Sequence, residues 1–136
     1  PAVGYRIRYP EGWEVSPLDE TRTDFRDPET GTLVRVDWTD QPGPDPVAAW
    51  ESYSQDFAAD HEGYQEIRID PADFQGYSAA EWEFTYVEGG TTLHAIDLGF
   101  VTGEYGFALF MQAPEDQWAD MQDEFEAFKA SFRAPS

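Results

Sequence analysis

One serine segment comes close to a known catalytic motif. The run Gly76 to Ala80 (GYSAA) approaches the turn that presents a nucleophilic serine between a strand and a helix. That motif requires glycine two residues after the serine and a helix behind it. Position 80 is alanine, and the residues that follow alternate as in a strand. The segment is therefore predicted to be structural.

The two histidines and the acidic segments are the remaining places where a metal ion could bind. His94 and Asp97 are three residues apart on a predicted strand, so their side chains point to opposite faces. His61 falls near the end of a predicted helix, where an imidazole suits the helix dipole. Residues 40–45 and 56–62 are rich in oxygen ligands but lack the spacing of a dedicated calcium loop. We predict no metal site, no cofactor and no catalytic residue.

The acidic residues leave one enzymatic alternative open. With 28 Asp and Glu residues in the chain, close pairs such as Glu81 with Glu83 or Asp116 with Asp120 are expected by chance. A hydrolase that uses two carboxylates would need more than such a pair. It would require at least one carboxyl with a strongly raised pKa in a cleft.

The arginines allow two interpretations. Six of the eight basic residues lie on predicted strands, on the side away from the core, namely Arg6, Arg8, Arg22, Arg26, Arg35 and Arg68. The favoured interpretation is a ladder of cross-strand ion pairs with Asp24, Asp37, Glu66, Glu81 and Glu83. The alternative is a binding surface on which arginine side chains meet a carboxylate or phosphate. Arg35 and Arg68 are the ligand-binding candidates, with Trp13 and Trp38 as aromatic anchors.

Composition limits the classes of partner. The chain has 136 residues, which predicts one domain over residues 1–136. Its net charge of −20 argues against nucleic acid and against direct binding to an anionic membrane. It has no cysteine, so disulfides and thiolate metal sites are excluded. It has no long apolar run, so we expect no membrane insertion by this segment.

The hydrophobic pattern predicts strands, a helix, more strands and a second helix. Asp45 and Pro46 mark the start of a helix over 46–60, as N-cap and first helical residue. The last strand is apolar on both faces, which predicts that it lies within the sheet and is covered on both sides. Tight turns between the strands make the sheet antiparallel and the fold class α+β. The predicted strands are 4–9, 13–15, 21–26, 32–39, 64–69, 78–87, 91–101 and 105–112, and the second helix is 115–131.

Two segments carry a resemblance to a known family. The opening Gly4–Trp13 (GYRIRYPEGW) resembles the start of PsbP-like domains, in which an aromatic strand leads to Tyr-Pro, a short turn and Trp. The ending Phe125–Phe132 (FEAFKASF) is similar to their last helix. The resemblance implies an antiparallel β-sheet of about six to eight strands flanked by helices, an α/β/α sandwich.

The resemblance also implies a function. PsbP-like proteins act mainly by binding, and they include actinobacterial lipoproteins and the extracytoplasmic C-terminal parts of actinobacterial serine/threonine kinases. A chain that begins at Pro1 and is poor in lysine fits a domain cut from such a parent. We therefore expect a non-enzymatic extracytoplasmic binding or sensor domain on a membrane-anchored parent of the receptor-kinase type. The alternative is a lipoprotein-like assembly factor that binds a protein partner. The sequence leaves open whether the partner is a small ligand or a protein.

Overall fold

The structure of the protein, a computed structural model, describes residues 4–135. Seven strands form an antiparallel sheet in the order β1-β2-β3-β7-β6-β5-β4, which confirms the α+β class. No helix within the described residues is long and apolar enough to cross a membrane. The elements are β1 (Glu14–Pro17), β2 (Arg22–Arg26), β3 (Leu33–Thr39), α1 (Pro46–Asp60), β4 (Gln65–Phe74), β5 (Tyr77–Glu88), β6 (Thr91–Val101), β7 (Gly106–Pro114) and α2 (Gln122–Ser131).

The larger part of the core lies between the sheet and α2. Val34 and Val36 of β3 and Leu109 of β7 point to this face and are fully buried. Phe128 of α2 and Phe132 just after it pack into the same cluster and are equally inaccessible. Burying one such side chain stabilises the fold by about 1.5–3 kcal/mol, so this face contributes most of the stability.

Helix α1 covers only part of the opposite face. Its N-cap is as predicted, since Oδ1 of Asp45 accepts a hydrogen bond from the Val47 N–H at 3.0 Å. The helix packs against β4, β5 and β6, where Trp50 and Phe57 meet the buried Trp82 of β5. The half of this face that β2, β3 and β7 form has no helix over it, and a groove results.

The predicted first strand over 4–9 is wrong in extent. Tyr5 is buried and stacks on Phe132, so the inward phase of the pattern is real. Only an isolated bridge forms, in which Arg6 and Arg133 exchange backbone hydrogen bonds at 2.8 and 2.9 Å. The partner segment is the short piece of chain after α2, and it is too short to support a full strand pairing.

The predicted second helix over 115–131 is also wrong in its first half. Residues Glu115–Gln117 and Ala119–Met121 form two 3₁₀ turns, and α2 follows them. The step of three from Trp118 to Met121 suits a 3₁₀ helix, which has three residues per turn. Contacts of this segment with β6 fix it in the tighter form, because Trp118 stacks on His94 at 3.8 Å between ring centroids.

The last strand, β7, lies in the middle of the sheet as predicted, between β3 and β6. The prediction that both of its faces are covered is wrong. Phe107, Leu109 and Met111 are buried on the α2 face. Ala108 and Phe110, on the other face, stay partly exposed because α1 does not reach across β7. Their apolar character therefore belongs to the base of a groove.

Candidate functional site: a groove beside helix α1

The groove runs between α1 and the uncovered half of the sheet and has a volume of about 910 Å³. This volume falls in the range of small-molecule binding sites. We call it the α1 groove. Its main lining residues are Arg22, Arg26, Arg35, Asp37 and Trp38 from β2 and β3, Trp50, Tyr53 and Phe57 from α1, Asp97 and Gly99 from β6, and Ala108, Phe110 and Gln112 from β7.

Two glycines, Gly99 and Gly106, let neighbouring segments pack closely against the sheet at the boundaries of the groove. A Cβ atom at Gly99 would lie 2.7 Å from Cζ2 of Trp50, so only glycine lets the indole pack this close to β6. The indole is held there because its Nε1–H donates a hydrogen bond to the Ala80 carbonyl at 3.1 Å. At the end of the groove, a Cβ at Gly106 would lie 3.1 Å from Pro42, so the loop before α1 approaches β7 closely.

Asp97 is the most unusual residue of the α1 groove. It lies on β6 directly between Trp82 of β5 and Phe110 of β7. The residue is partly accessible from the groove, yet its Oδ1 atom is buried and has no hydrogen-bond partner among the described residues. Burial raises the pKa of this carboxyl to about 7; the nearby negative charge of Asp37 adds to the effect, and the positive charge of Arg35 opposes it.

The charged side chains of β2 and β3 form the opposite side of the groove. Arg35 holds Asp24 with two hydrogen bonds, from Nε at 2.6 Å and from Nη2 at 3.1 Å. Arg22 holds Asp19 in the same way, at 2.9 and 2.7 Å. Burial raises the pKa of Asp37, although its hydrogen bond with Thr21 and the charge of Arg22 oppose the shift. Two of the three arginines of the groove are thus already paired with carboxylates.

The structure places the side chain of one of the four sequence candidates, Arg35, on the groove face. Trp38 borders the groove at the end of β3, but its side chain is in phase with Val34 and Val36 and packs on the α2 face, edge-on against Tyr105 with ring centroids 5.9 Å apart. Trp13 lies on the α2 face, where it packs against Phe128 at 5.2 Å. Arg68 also lies on that face, so the four do not form one site. Their role in binding stays a prediction.

The expected arginine ladder is present on part of the sheet. Arg35 pairs with Asp24 across β2 and β3. Arg68 pairs across β4 and β5 with Glu83 at 3.1 Å and Glu81 at 3.2 Å. These three acids were among the expected partners. Arg68 also reaches Asp70 at 3.3 Å, and that residue was not predicted.

Both histidines contact other groups of the protein through their ring nitrogens. His94 points to the α2 face, opposite to Asp97, as its spacing predicted. Its Nε2 lies 2.6 Å from Oε2 of Glu83, and its Nδ1 lies 2.7 Å from Oε2 of Glu115. His61 uses its Nδ1 to contact the carbonyl of Phe57 at 2.9 Å. Within residues 4–135, no group of three or more His, Cys, Asp or Glu side chains lies close enough together to hold a metal ion.

Asp97 escaped the sequence analysis as a groove residue. Its spacing from His94 relates it only to a metal site. The available signal was its position, because it is the one acid in a largely apolar strand, in phase with Ala95 and Gly99. What the sequence did not reveal was that α1 stops short of β7, which leaves this position next to open space.

Known structures share this architecture. The solution structure of cyanobacterial PsbP from Synechocystis matches with a TM-score of 0.73 at 16% identity, over 96% of this chain and 86% of that one. The crystal structure of LpqN, a Mycobacterium tuberculosis protein involved in cell envelope biogenesis, matches with a TM-score of 0.71 at 14% identity, over 97% and 83%. At such identities the likeness concerns the fold, and the fold is PsbP-like.

The sequence identifies the family within this fold. Residues 2–134 match the family described as the serine/threonine kinase C-terminal domain. The chain belongs to that family. No curated protein matches the chain. The family is defined by the C-terminal region of kinases and not by their catalytic domain, which indicates an accessory domain.

Proposed function

We propose that the chain is a non-enzymatic, extracytoplasmic sensor domain of a membrane-anchored serine/threonine kinase, and that the α1 groove is its ligand site. Membership of the kinase C-terminal family and the PsbP-like fold support the accessory role. The observation that carries the ligand site is the buried Oδ1 of Asp97, which has no partner among the described residues and borders an open groove. Native proteins seldom leave such an atom unsatisfied.

The position of the groove agrees with a sensor. The N-terminal segment packs on the α2 face, where Tyr5 contacts Phe107 and Phe132. The groove lies on the other side of the sheet, so Tyr5 and its neighbours do not cover it. A ligand that bridges α1 and β3 would stabilise one arrangement of the helix against the sheet. Binding would thereby shift a conformational or assembly equilibrium of the parent protein.

A thermal-shift screen tests the ligand site. The panel contains cell-wall fragments, lipids, sugars, small organic acids, amines and calcium, each at low and high salt. A ligand at 100 times its Kd stabilises the folded state by about 2.7 kcal/mol, which raises Tm by several degrees. We expect one compound class to give a shift that high salt does not abolish.

Two variants locate the site. Ala108→Leu adds bulk at the base of the α1 groove, and Ala127→Leu adds the same bulk at an exposed position of α2. The ligand-induced shift should disappear in A108L and persist in A127L. A shift that survives in A108L would show that the ligand binds elsewhere, and a panel without any shift would turn the search to a protein partner.

A protein partner is the second candidate function. Three exposed apolar side chains lie in or next to the edge strand β1, namely Tyr9 at 47%, Val15 at 42% and Leu18 at 46% exposure. An edge strand with apolar neighbours is a surface on which another chain can pair. The assembly-factor hypothesis therefore favours β1 over the earlier anchors Trp13 and Trp38, which are both partly buried. Co-purification that is lost in Val15→Asp and kept in Ile67→Asp, at the other edge strand, would support it.

The hydrolase hypothesis has one observation in its favour. It required a carboxyl with a raised pKa in a cleft, and Asp97 beside Asp37 meets that requirement. Incubation with chromogenic glycosides and muropeptides separates the two functions. A sensor leaves the substrates intact, whereas turnover that is lost in both Asp97→Asn and Asp37→Asn would establish an enzyme.

A further inference from the structure

The side chains next to Asp97 offer no hydrogen-bond donor to its buried Oδ1 atom. The two nearest indole donors are both in use. The Trp50 Nε1–H donates to Ala80 O at 3.1 Å, and the Trp82 Nε1–H donates to the Tyr64 hydroxyl at 3.0 Å. The neighbouring Phe110 has no polar atom to offer. Neither indole is therefore free to donate to Oδ1, and no other described residue does so.

The charges around the groove favour a positive ligand group. The lining contains six carboxylates and three guanidinium groups, and two of the guanidiniums are bound to Asp19 and Asp24. The charged groups that act on Asp97 itself are Asp37 and Arg35 of β3, with opposite signs. The other titratable groups of the groove are Arg22 and Arg26 from β2, Asp45 from the loop before α1, Tyr53, Asp56 and Asp60 from α1, His61 after it, and Tyr86 and Glu88 from β5. The excess of carboxylates makes the local potential negative.

The aromatic rings point in the same direction. Trp82 and Phe110 flank Asp97 on the neighbouring strands, and Trp50 covers Gly99 two residues along β6. Trp82 is only 3% exposed, so the rings that can offer a π face to a ligand are those of Trp50 and Phe110, which are partly exposed. A carboxylate among aromatic π faces is the arrangement that binds an ammonium group, through an ion pair and cation–π attraction.

Given that the α1 groove is the ligand site, we propose that its ligand is a small molecule with a protonated primary amine, which donates to Asp97 beside Phe110 and Trp50. A compact ammonium group has three donors on one nitrogen. It can therefore satisfy the carboxyl of Asp97 while its remaining hydrogens face the rings. The rest of the ligand would extend along the groove over Ala108.

The proposal has a pH dependence of definite sign. An ammonium ion binds the ionised form of Asp97, whose pKa in the free protein is about 7. Binding should therefore release a proton and weaken as the pH falls through 7. Since the ionised fraction drops from nine-tenths at pH 8 to one-tenth at pH 6, we expect affinity about tenfold lower at pH 6.

NMR titration of the ¹⁵N-labelled chain at pH 8 tests the proposal with three probes of one shape: n-butylammonium, n-butanol and butyrate. We expect saturable shifts at residues 95–99 and 108–110 with n-butylammonium alone. Asp97→Asn keeps the shape and removes the charge, and it should weaken binding by about 10- to 100-fold. Asp116→Asn removes one exposed charge on the α2 face and should leave binding unchanged.

A second measurement does not depend on a variant. In the wild-type chain, the ¹³C shift of the Asp97 carboxyl should titrate at lower pH when n-butylammonium is present. Diffuse shifts at exposed carboxylates that persist in D97N would overturn the proposal, and so would an unchanged Asp97 titration. Butyrate binding in the groove would also overturn the amine ligand but would leave the α1 groove as a ligand site. The proposed function itself fails only if no compound in the thermal-shift screen gives a shift that A108L abolishes.

Discussion

At the scale of single residues, Asp97 stands out because its surroundings conflict with its charge. Its neighbours across the sheet are Trp82 and Phe110, and its Oδ1 is buried without a partner among the described residues. An ionised carboxylate in such a place costs free energy unless something pairs with it. In a free binding site this cost lowers the stability of the protein, and a ligand that pairs with the carboxylate removes it.

This cost makes stability depend on pH. The folded state raises the pKa of Asp97 from 3.8 to about 7, so the folded chain binds this proton more tightly than the unfolded chain. The contribution of Asp97 to stability is therefore present at low pH and lost as the pH rises from about 4 to about 7.

The variant Asp97→Asn isolates this effect. At pH 3 the carboxyl is largely protonated in the folded and the unfolded chain alike, and we expect equal stability of variant and wild type. At pH 8 the variant should be more stable by about 1–3 kcal/mol. Urea denaturation at both values measures the difference, with Asp116→Asn as the control. A variant that is less stable than wild type at pH 8 would mean that the carboxylate has a partner in the free protein.

At the scale of elements, the helices position the groove. Helix α1 sits close to the sheet because Gly99 has no side chain below Trp50. On the other face, Glu115 and Trp118 contact His94 and tie the 3₁₀ turns to β6. The position of α1 over β4, β5 and β6 is thus what leaves β3 and β7 open.

Gly99→Ala tests the close packing of α1 on the sheet. The new methyl group would lie 2.7 Å from the Trp50 ring, so the indole must move and its hydrogen bond to Ala80 is strained. We expect a loss of about 1–3 kcal/mol in the free energy of unfolding. Gly43→Ala is the matched control, because no atom lies within 4 Å of its added Cβ. Equal stability of the two variants in urea denaturation would contradict the packing described for Trp50.

At the scale of the whole molecule, charge dominates. The net charge of −20 is spread over a chain with only eight basic residues. The resulting repulsion opposes the compact state and keeps the protein away from anionic partners. It also draws cations toward the α1 groove, in agreement with an amine ligand.

Salt should therefore stabilise the domain. Raising NaCl from low concentration to 1 M shortens the Debye length to about 3 Å and screens the repulsion. The few ion pairs that salt weakens are mostly partly exposed and contribute little each. We expect Tm to rise with NaCl in a thermal melt. A fall in Tm would show that attractive pairs such as Arg35 with Asp24 outweigh the general repulsion.

The sequence determined the elements and their order. Helix 46–60, strand 91–101 and the inward phase of Val34 and Val36 follow from local periodicity and capping, which neighbouring residues encode. The GYRIRYPEGW opening predicts the PsbP-like fold, whereas a binding role of Arg35 stays a prediction.

Only the tertiary structure decided where the α1 groove lies. The shift of α1 toward one edge of the sheet, the open face of β7 and the isolation of Asp97 result from contacts between residues far apart in sequence. The same contacts turned the start of the second helix into 3₁₀ turns and reduced strand 4–9 to one bridge. Periodicity shows which side of an element is apolar, but it does not show what covers that side. The groove therefore became visible only once the layers were assembled.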